Sequence, residues 1–346
     1  MTCLMIDIGS TELSYKDEER LQNKLVGGVI LFTRNYQSKK QIKTLTAAIR
    51  KIKKNILIAV DHEGGRVQRF REEFTHIPDM ALLGQVYDEN QSEGRRLAKL
   101  CGQLIAYELG ICDIDFSFTP VLDINFGTSS VIGDRSFHHQ TEPIVELASS
   151  LMEGLNLEGM QSVGKHFPGH GFIKADTHLE IANDNRLLEE IQKKDMSIFN
   201  AMIKKNIAGV MPSHVIYTNC DQKPAGFSQF WLKNQLRGLM NFQGAIFSDD
   251  MGMKAAQIFE KDLVVRVKKA LEAGCDMVLL CNQGKDIDHV LDKLEWKQDS
   301  DSIKRLLKMH RDSSKNKVSN SFPVNYSHES VKKNIIELKN LVKKLS

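Results

Sequence analysis

The fold of this chain is decided by a motif near its middle, Gln161-Ser-Val-Gly-Lys-His-Phe-Pro-Gly-His-Gly171. It begins as a short apolar run of the kind that forms buried strands, and it passes directly into charged and imidazole side chains. Glycines and a proline then interrupt it, where we expect a loop to fold back over a pocket. Asp176 and His178 follow closely. So many titratable groups in one short segment predict proton transfer or ligand binding, not core packing.

Similar runs recur along the whole chain. Eight short segments, mostly β-branched or aromatic, alternate with amphipathic or charged segments, as expected of parallel strands covered on both faces. The eight runs are Cys3–Ile8, Gly28–Phe32, Ile56–Asp61, Asp115–Asp123, Ser162–Phe167, Gly209–His214, Gly244–Asp249 and Asp276–Cys281. Eight strand–helix units predict an α/β fold, a single-domain (β/α)8 barrel of the TIM type. The alternative is a doubly wound open sheet, which is disfavoured because no GxGxxG motif follows any run.

Polar side chains stand at the C-terminal ends of six runs. These side chains are Asp61, Asp123, Lys165–His166, Ser213–His214, Asp249 and Cys281–Asn282. The C-terminal strand ends of a (β/α)8 barrel form its catalytic face, so we expect these groups to meet in one pocket. We expect residues 1–311 to form the catalytic barrel. Residues 312–346 are predicted to be a polar linker and a C-terminal helix that packs on the barrel.

The composition argues against several classes of function. The net charge is only +3, from 47 basic and 44 acidic residues, so neither nucleic acid nor a membrane surface is an expected partner. No run approaches the length of a membrane span, and the first residues lack the basic region of a signal peptide. Six cysteines without a CxxC pair predict reduced thiols and a cytoplasmic protein.

Two loops carry candidate binding groups. Gly64–Gly65 follows Asp61 and permits unusual backbone angles, so the charged groups around it can turn inward. A binding role is favoured for Asp61 at the strand tip, whereas spacing alone favours a salt-bridged turn for Glu63 and Arg69. Arg135 lies in the long fourth loop, and loops of that length in compact domains are often functional.

Phe247-Ser-Asp-Asp250 ends the seventh run with two adjacent carboxylates. Side chains alternate along a strand, so only one of the two can follow the inner face toward the pocket. An aspartate in that position can act as a nucleophile in covalent catalysis. The other is predicted to cap the next helix or to orient loop residues.

The pair Asp176-x-His178 can hold a carboxylate against an imidazole and raise its pKa toward working pH. A metal site is the competing interpretation, with His166, His170, Asp176 and His178 as ligands. It is disfavoured because the HxxxH spacing straddles Pro168 and Gly169, so the two histidines cannot share one helix face.

Taken together, these motifs resemble the β-N-acetylhexosaminidases of glycoside hydrolase family 3. The resemblance runs from Met5 to about Asn282 and is strongest to the cytoplasmic, single-domain members that recycle cell-wall muropeptides. The motifs that carry it are Asp61-His-Glu-Gly-Gly-Arg-Val-Gln-Arg-Phe70, Ile132-Gly-Asp-Arg-Ser-Phe137, Lys165-His-Phe-Pro-Gly-His-Gly171, Asp176-Thr-His178, Met211-Pro-Ser-His-Val-Ile-Tyr217, Pro224-Ala-Gly-Phe-Ser228 and Phe247-Ser-Asp-Asp-Met251.

The resemblance implies a retaining exo-β-N-acetylglucosaminidase. Asp249 would be the nucleophile, and His178, paired with Asp176, would be the general acid/base. The sugar in the −1 subsite would be held by Asp61, Arg69, Arg135, Lys165 and His166. The substrate would be GlcNAc-1,6-anhydroMurNAc muropeptide, the enzyme would need no cofactor or metal, and the protein would be a monomer.

Three positions depart from the family pattern. His62 stands where glutamine is usual, Thr177 where serine is common, and Gly252 replaces a serine. None of them belongs to the proposed catalytic trio. His170 receives no catalytic role and is interpreted as a loop-stabilising residue. The alternatives to the proposed activity are a β-glucosidase acting on plain glucosides and a sugar-binding barrel without turnover.

Overall fold

Eight parallel strands form the centre of the molecule. The computed structural model describes residues 2–173 and 182–312, together with Ile336. The barrel strands are β1 (Leu4–Asp7), β2 (Val26–Leu31), β3 (Leu57–Val60), β4 (Phe116–Ser117), β5 (Gln161–Phe167), β6 (Gly209–Pro212), β7 (Ala245–Ile246) and β8 (Val278–Leu280). Each overlaps one of the eight apolar runs, so hydrophobic patterning placed every barrel strand.

The strands pair in sequential order and the sheet closes on itself. Parallel pairing runs from β1 to β7, and β8 pairs with β1. Between β7 and β8 the closure is made by a parallel bridge from Phe247 to Met277, where the amide of Ser248 donates to the carbonyl of Met277 at 2.9 Å. The predicted (β/α)8 barrel is therefore confirmed.

Helices surround the barrel. They are α1 (Tyr15–Gln22), α2 (Lys39–Ile52), α3 (Met80–Glu89), α4 (Gln91–Gly110), α5 (Thr141–Leu157), α6 (Leu188–Lys193), α7 (Asp195–Lys204), a π-type helix (Phe230–Leu239), α8 (Lys254–Phe259), α9 (Leu263–Ala273), α10 (Lys285–Lys293) and α11 (Ser300–Leu307). Local signals fix several ends. The Ser228 hydroxyl accepts from the Trp231 amide at 3.1 Å, and Gly274 ends α9 with φ +127°.

The barrel interior is filled with aromatic side chains, not solvent. Phe116, Phe118 and Phe247 are fully buried, and their ring centroids lie 5.2 to 5.5 Å apart in edge-on and tilted contacts. The β strands are buried on both faces, because helices cover the outside. This packed core makes the strand ends rigid supports for the polar residues that follow them.

Short secondary elements stand above the C-terminal strand ends. His62–Gly64 pairs with Val67–Gln68 as an antiparallel hairpin, and Gly64 and Gly65 adopt φ values of +119° and +52°. These angles are ones that glycine tolerates, as the sequence predicted. In the same region Asn183–Asp184 pairs with Ile216–Tyr217.

The described chain ends against the opposite face of the barrel. The amide of Asp312 donates to the carbonyl of Gly159 at 3.0 Å, and the Nε of Arg311 donates to the carbonyl of Glu158 at 3.1 Å. The predicted linker and C-terminal helix lie, apart from Asp312 and Ile336, outside the described residues and stay a prediction. Within the described ranges, no helix combines the length and the apolar composition that crossing a bilayer requires.

Candidate active site

A cavity of about 490 Å³ opens at the C-terminal ends of the strands. Six of the eight predicted site residues line it: Asp61, Arg69, Arg135, Lys165, His166 and Asp249. They come from four different strand ends or loops, separated by up to 188 positions in sequence (249 − 61). The other two predicted residues, Asp176 and His178, lie outside the described residues.

Alternating charges run across one side of this cavity. Lys165 Nζ lies 2.9 Å from Asp61 Oδ1 and 2.6 Å from Glu63 Oε1. Arg69 Nη2 approaches the other oxygen of Asp61 at 3.4 Å. Arg135 holds Glu63 with two parallel bonds, Nε to Oε2 and Nη2 to Oε1, each 2.8 Å long. These five residues, here called the charge chain, contain three cations and two carboxylates.

Sequence spacing underestimated Glu63. The salt-bridged turn expected for Glu63 and Arg69 is present only for Arg69, which pairs with Asp61 of the same segment. For Glu63 the expectation is wrong, because its partners Arg135 and Lys165 come from two other segments. Glu63 is only 2% exposed. A carboxylate two positions after a predicted binding residue was the signal that could have marked it. Its partners Lys165 and Arg135 are 102 and 72 positions away, so spacing could not reveal them.

The charge chain keeps its members ionised. Burial acts to lower the pKa of Lys165, but the carboxylates of Asp61 and Glu63 outweigh burial and raise that pKa above its ordinary value. Burial acts in the opposite direction on Glu63, where Arg135 and Lys165 prevail and hold the pKa well below its usual range. The ion pairs therefore favour the charged forms of both Lys165 and Glu63.

His166 is oriented by Asp123, a residue in the segment after β4 for which no specific role was predicted from the sequence. The fully buried carboxylate accepts from His166 Nδ1 at 2.7 Å and from the His166 amide at 3.2 Å. It also accepts from the amide of His170 at 2.7 Å. A carboxylate on Nδ1 assigns a proton to that nitrogen and leaves Nε2 as the other polar atom of the ring.

The two adjacent aspartates after β7 have different surroundings. Asp249 lines the cavity, and its Oδ1 accepts from the amide of Asp250 at 2.8 Å. The side chain of Asp250 borders the same cavity, but its Oδ1 accepts from the amides of Gly252 and Cys281 at 2.8 and 3.0 Å. Asp250 thus orients loop residues, as predicted for one of the pair. Burial raises its pKa to about 7.

Two of the three departures from the family pattern, His62 and Gly252, lie in tightly packed surroundings. The His62 ring is buried against Phe70 and Phe74, with centroids 6.1 and 5.6 Å away, and burial lowers its pKa to about 3. A Cβ on Gly252 would lie 2.8 Å from the backbone carbonyl oxygen of Cys281 and would overlap the side-chain amide nitrogen of Gln283. Thr177 lies outside the described residues.

The region around His170 bears on both the loop and the metal alternative. His170 lines the cavity, and burial together with the neighbouring His166 lowers its pKa to about 4. The hydrogen bond from its backbone amide to Asp123 connects the loop after β5 to the loop after β4, in keeping with a loop-stabilising residue. Among residues 2–173 and 182–312, no three His, Cys, Asp or Glu side chains are grouped as a metal site.

Comparison with known proteins assigns the chain to a family. Residues 4–309 match the glycosyl hydrolase family 3 N-terminal domain. A β-hexosaminidase of Methylobacillus flagellatus is 51% identical over 308 residues, which cover 89% of this chain and 88% of the relative. A β-hexosaminidase of Nitrosospira multiformis is 50% identical over 307 residues, covering 88% of each chain.

Solved structures agree with the sequence relatives. NagZ from Neisseria gonorrhoeae, in complex with N-trifluoroacetyl-D-glucosamine, matches with a TM-score of 0.92 and 41% identity. That match covers 98% of this chain and 97% of the other. The resemblance inferred from the motifs is confirmed: the chain belongs to glycoside hydrolase family 3 and is a glycosidase of the β-hexosaminidase type.

Proposed function

We propose that the protein is a retaining exo-β-N-acetylglucosaminidase that releases GlcNAc from GlcNAc-1,6-anhydroMurNAc muropeptides in peptidoglycan recycling. The observation that carries this proposal is the carboxylate of Asp249, which lines a cavity together with the charge chain and His166. The bound N-acylated glucosamine in the Neisseria relative supports the choice of sugar.

The cavity suits one sugar residue at the end of a glycan. Asp61, Arg69, Arg135, Lys165 and His166 offer donors and acceptors for hydroxyl and N-acetyl groups, and we assign them to the −1 subsite. Apolar side chains that are partly exposed, among them Phe32 and Val67, line the same space and can cover the carbon faces of a pyranose ring. Occupation of this pocket by a single ring would make the enzyme remove terminal residues.

The reaction takes place in two displacements at the anomeric carbon. In the first, a carboxylate oxygen of Asp249 forms a bond to that carbon while the bond to the aglycone oxygen breaks. In the second, water attacks the same carbon and releases Asp249. Two inversions leave the product in the β configuration of the substrate.

Proton transfer is assigned to the loop after β5. We propose that His178, oriented by Asp176, protonates the departing aglycone oxygen and then deprotonates the attacking water. Both residues lie outside the described part of the chain. His170, with a pKa of about 4, is neutral near pH 7 and is therefore a poor proton donor there.

A backbone donor holds the nucleophile in place. The amide of Asp250 lies 2.8 Å from Asp249 Oδ1 and donates to it, so one oxygen of the attacking carboxylate is fixed at the strand end.

We place this reaction in the cytoplasm, with a monomeric enzyme and a carbohydrate substrate. The placement rests on the cysteines, because all six are free thiols and five of them are buried. Unpaired buried thiols are typical of proteins from reducing compartments.

The test is the product released from purified GlcNAc-anhydroMurNAc peptides. We expect GlcNAc whose first-formed anomer, followed by proton NMR, is β. The Asp249→Ala variant is expected to lose turnover by a factor on the order of 10⁴. Asp301→Ala, which changes an exposed residue of α11, is the matched control and should retain wild-type turnover.

Two results would contradict the proposal. An initial α anomer would exclude Asp249 as a covalent nucleophile, and near wild-type turnover by Asp249→Ala would do the same. Faster hydrolysis of a nitrophenyl glucoside than of the matching GlcNAc glycoside would instead favour a β-glucosidase.

A further inference from the structure

Glu63 is a buried carboxylate in the cavity for which the proposed function has no use. It receives both prongs of the Arg135 guanidinium and the ammonium group of Lys165. It therefore joins two cations that reach the cavity from different segments: Arg135 lies in the loop after β4, and Lys165 lies on β5. No other carboxylate of the charge chain contacts both.

We infer that Glu63 is a positioning residue that fixes Lys165 and Arg135 in the geometry needed to hold the sugar. This inference rests on the proposed function, because it concerns the residues assigned to the −1 subsite. It adds a residue that need not touch the substrate and acts through its two partners.

The geometry of Arg135 depends on a carboxylate at this position. Two parallel bonds of 2.8 Å fix both the location and the plane of the guanidinium, which a single bond cannot do. Only one other contact is described for its polar atoms, from Nη1 to the carbonyl of Val131 at 3.1 Å. Loss of Glu63 would free Arg135 to rotate in the cavity.

Lys165 depends on Glu63 for charge as well as position. The Lys165 side chain is 3% exposed. Asp61 and Glu63 contact it from the segment after β3, and the charge of Arg135 acts on it from the loop after β4, while Asp249 and His166 line the same cavity. Asp61 is shared with Arg69. Without Glu63, one shared carboxylate would remain to offset burial, which favours the neutral amine.

The test compares the wild type with Glu63→Gln. We expect the substitution to weaken competitive inhibition by GlcNAc about ten- to hundredfold at pH 7, because a charge-assisted contact is removed from each of two cations. Asp250, with a pKa of about 7, also borders the cavity, so the pH comparison is made above that value. Inhibition of the wild type should not change between pH 8.5 and pH 10. In Glu63→Gln it should weaken further across that interval, as Lys165 loses its proton.

A conservative variant separates charge from shape. Glu63→Asp retains the negative charge but shortens its reach, so we expect weaker GlcNAc inhibition at pH 7 with the flat pH dependence restored. If Glu63→Gln fails to fold, Glu63→Asp carries the test alone, and unchanged inhibition in that variant overturns the inference.

The chain provides a matched control. Glu108, on α4, is 6% exposed, binds Lys39 Nζ at 2.9 Å and accepts from the Thr75 amide at 2.8 Å. It does not line the cavity. Glu108→Gln removes the same kind of buried charge and should leave GlcNAc inhibition and its pH dependence at wild-type values.

The outcomes distinguish this inference from the proposed function. Release of β-GlcNAc by the wild type, and its loss in Asp249→Ala, test the function. Suppose that those results hold. If GlcNAc then inhibits Glu63→Gln as well as it inhibits the wild type, or inhibits it more weakly but with the same pH dependence, Glu63 is a structural residue only and the inference is wrong.

Discussion

Two buried aspartates at opposite ends of β4 offer a test of how the barrel separates stability from catalysis. Asp115 precedes the strand, accepts from the Ile58 amide at 2.8 Å and from Arg50 at 2.9 Å, and pairs with His310 Nδ1 at 3.1 Å. Asp123 follows the strand and pairs with His166 Nδ1 at 2.7 Å. Each aspartate is at most 4% exposed as a residue and pairs with an imidazole, but of the two imidazoles only that of His166 reaches the cavity.

We predict that asparagine at either position lowers the free energy of unfolding by about 2 to 4 kcal/mol. A neutral amide loses the charge-assisted bonds of a buried carboxylate, each worth roughly 1.5 to 3 kcal/mol. In addition, its NH2 group would lie opposite an N–H donor that the carboxylate oxygen had accepted from. Only Asp123→Asn should lower kcat/KM, by about 10- to 100-fold. That factor corresponds to roughly 1.4 to 2.7 kcal/mol of lost transition-state stabilisation when His166 and the β5 loop shift.

The pH dependence of stability gives an additional check. Burial acts to raise the pKa of Asp123, but His166 outweighs it and the pKa lies below its ordinary value. A carboxyl with a lowered folded pKa stabilises the protein above its unfolded pKa of about 3.9, and this contribution is lost as pH falls through the folded value. The difference in unfolding free energy between wild type and Asp123→Asn should therefore shrink on acidification below about pH 4.

The assay is urea unfolding combined with steady-state hydrolysis of nitrophenyl-GlcNAc, for wild type and both variants at matched folded fractions. The reasoning is refuted if Asp115→Asn and Asp123→Asn lose activity equally. It is also refuted if Asp123→Asn is destabilised but fully active, because Asp123 would then serve stability alone, as Asp115 does.

Two further predictions concern the departures from the family pattern. Gly252→Ser should cost about 1 to 3 kcal/mol of stability by overpacking against Cys281 and Gln283, and adding Gln283→Ala should recover part of it in thermal melts; an unchanged melting temperature for Gly252→Ser contradicts this. For His62, whose pKa is lowered to about 3, protonation favours the unfolded chain as pH falls below 6.5. Between pH 7.5 and pH 4.5, His62→Gln should therefore lose about 2 to 3 kcal/mol less unfolding free energy than the wild type. Equal losses in the two proteins, measured by urea unfolding at both pH values, would contradict this prediction.

Much of the architecture could be predicted from local patterns. Strands buried on both faces need continuous apolar runs, and eight such runs placed all eight barrel strands. The glycine pair after Asp61 predicted an unusual turn, and φ values of +119° and +52° confirm it. Since parallel strands in a barrel end at one face, the strand-tip positions of Asp61, Lys165 and Asp249 were enough to predict a shared pocket.

The partners inside that pocket could not be predicted in the same way. Glu63 was interpreted as part of a salt-bridged turn and Asp123 was given no specific role, although one joins two cations and the other orients His166. Ion pairs and hydrogen bonds depend on distances of about 3 Å between atoms far apart in sequence. No periodicity encodes such distances.

The Lys165–Gly171 motif illustrates the division between the two sources of information. By itself the sequence determined that a buried strand ends there in groups able to bind or transfer protons, because apolar patterning and residue type are local properties. Only the tertiary structure decided which carboxylates Lys165 and His166 meet, because the barrel brings Asp61 and Glu63 to them from the segment after β3, and Asp123 from the segment after β4. Those contacts, and the charged states that they stabilise, exist only once the barrel has formed.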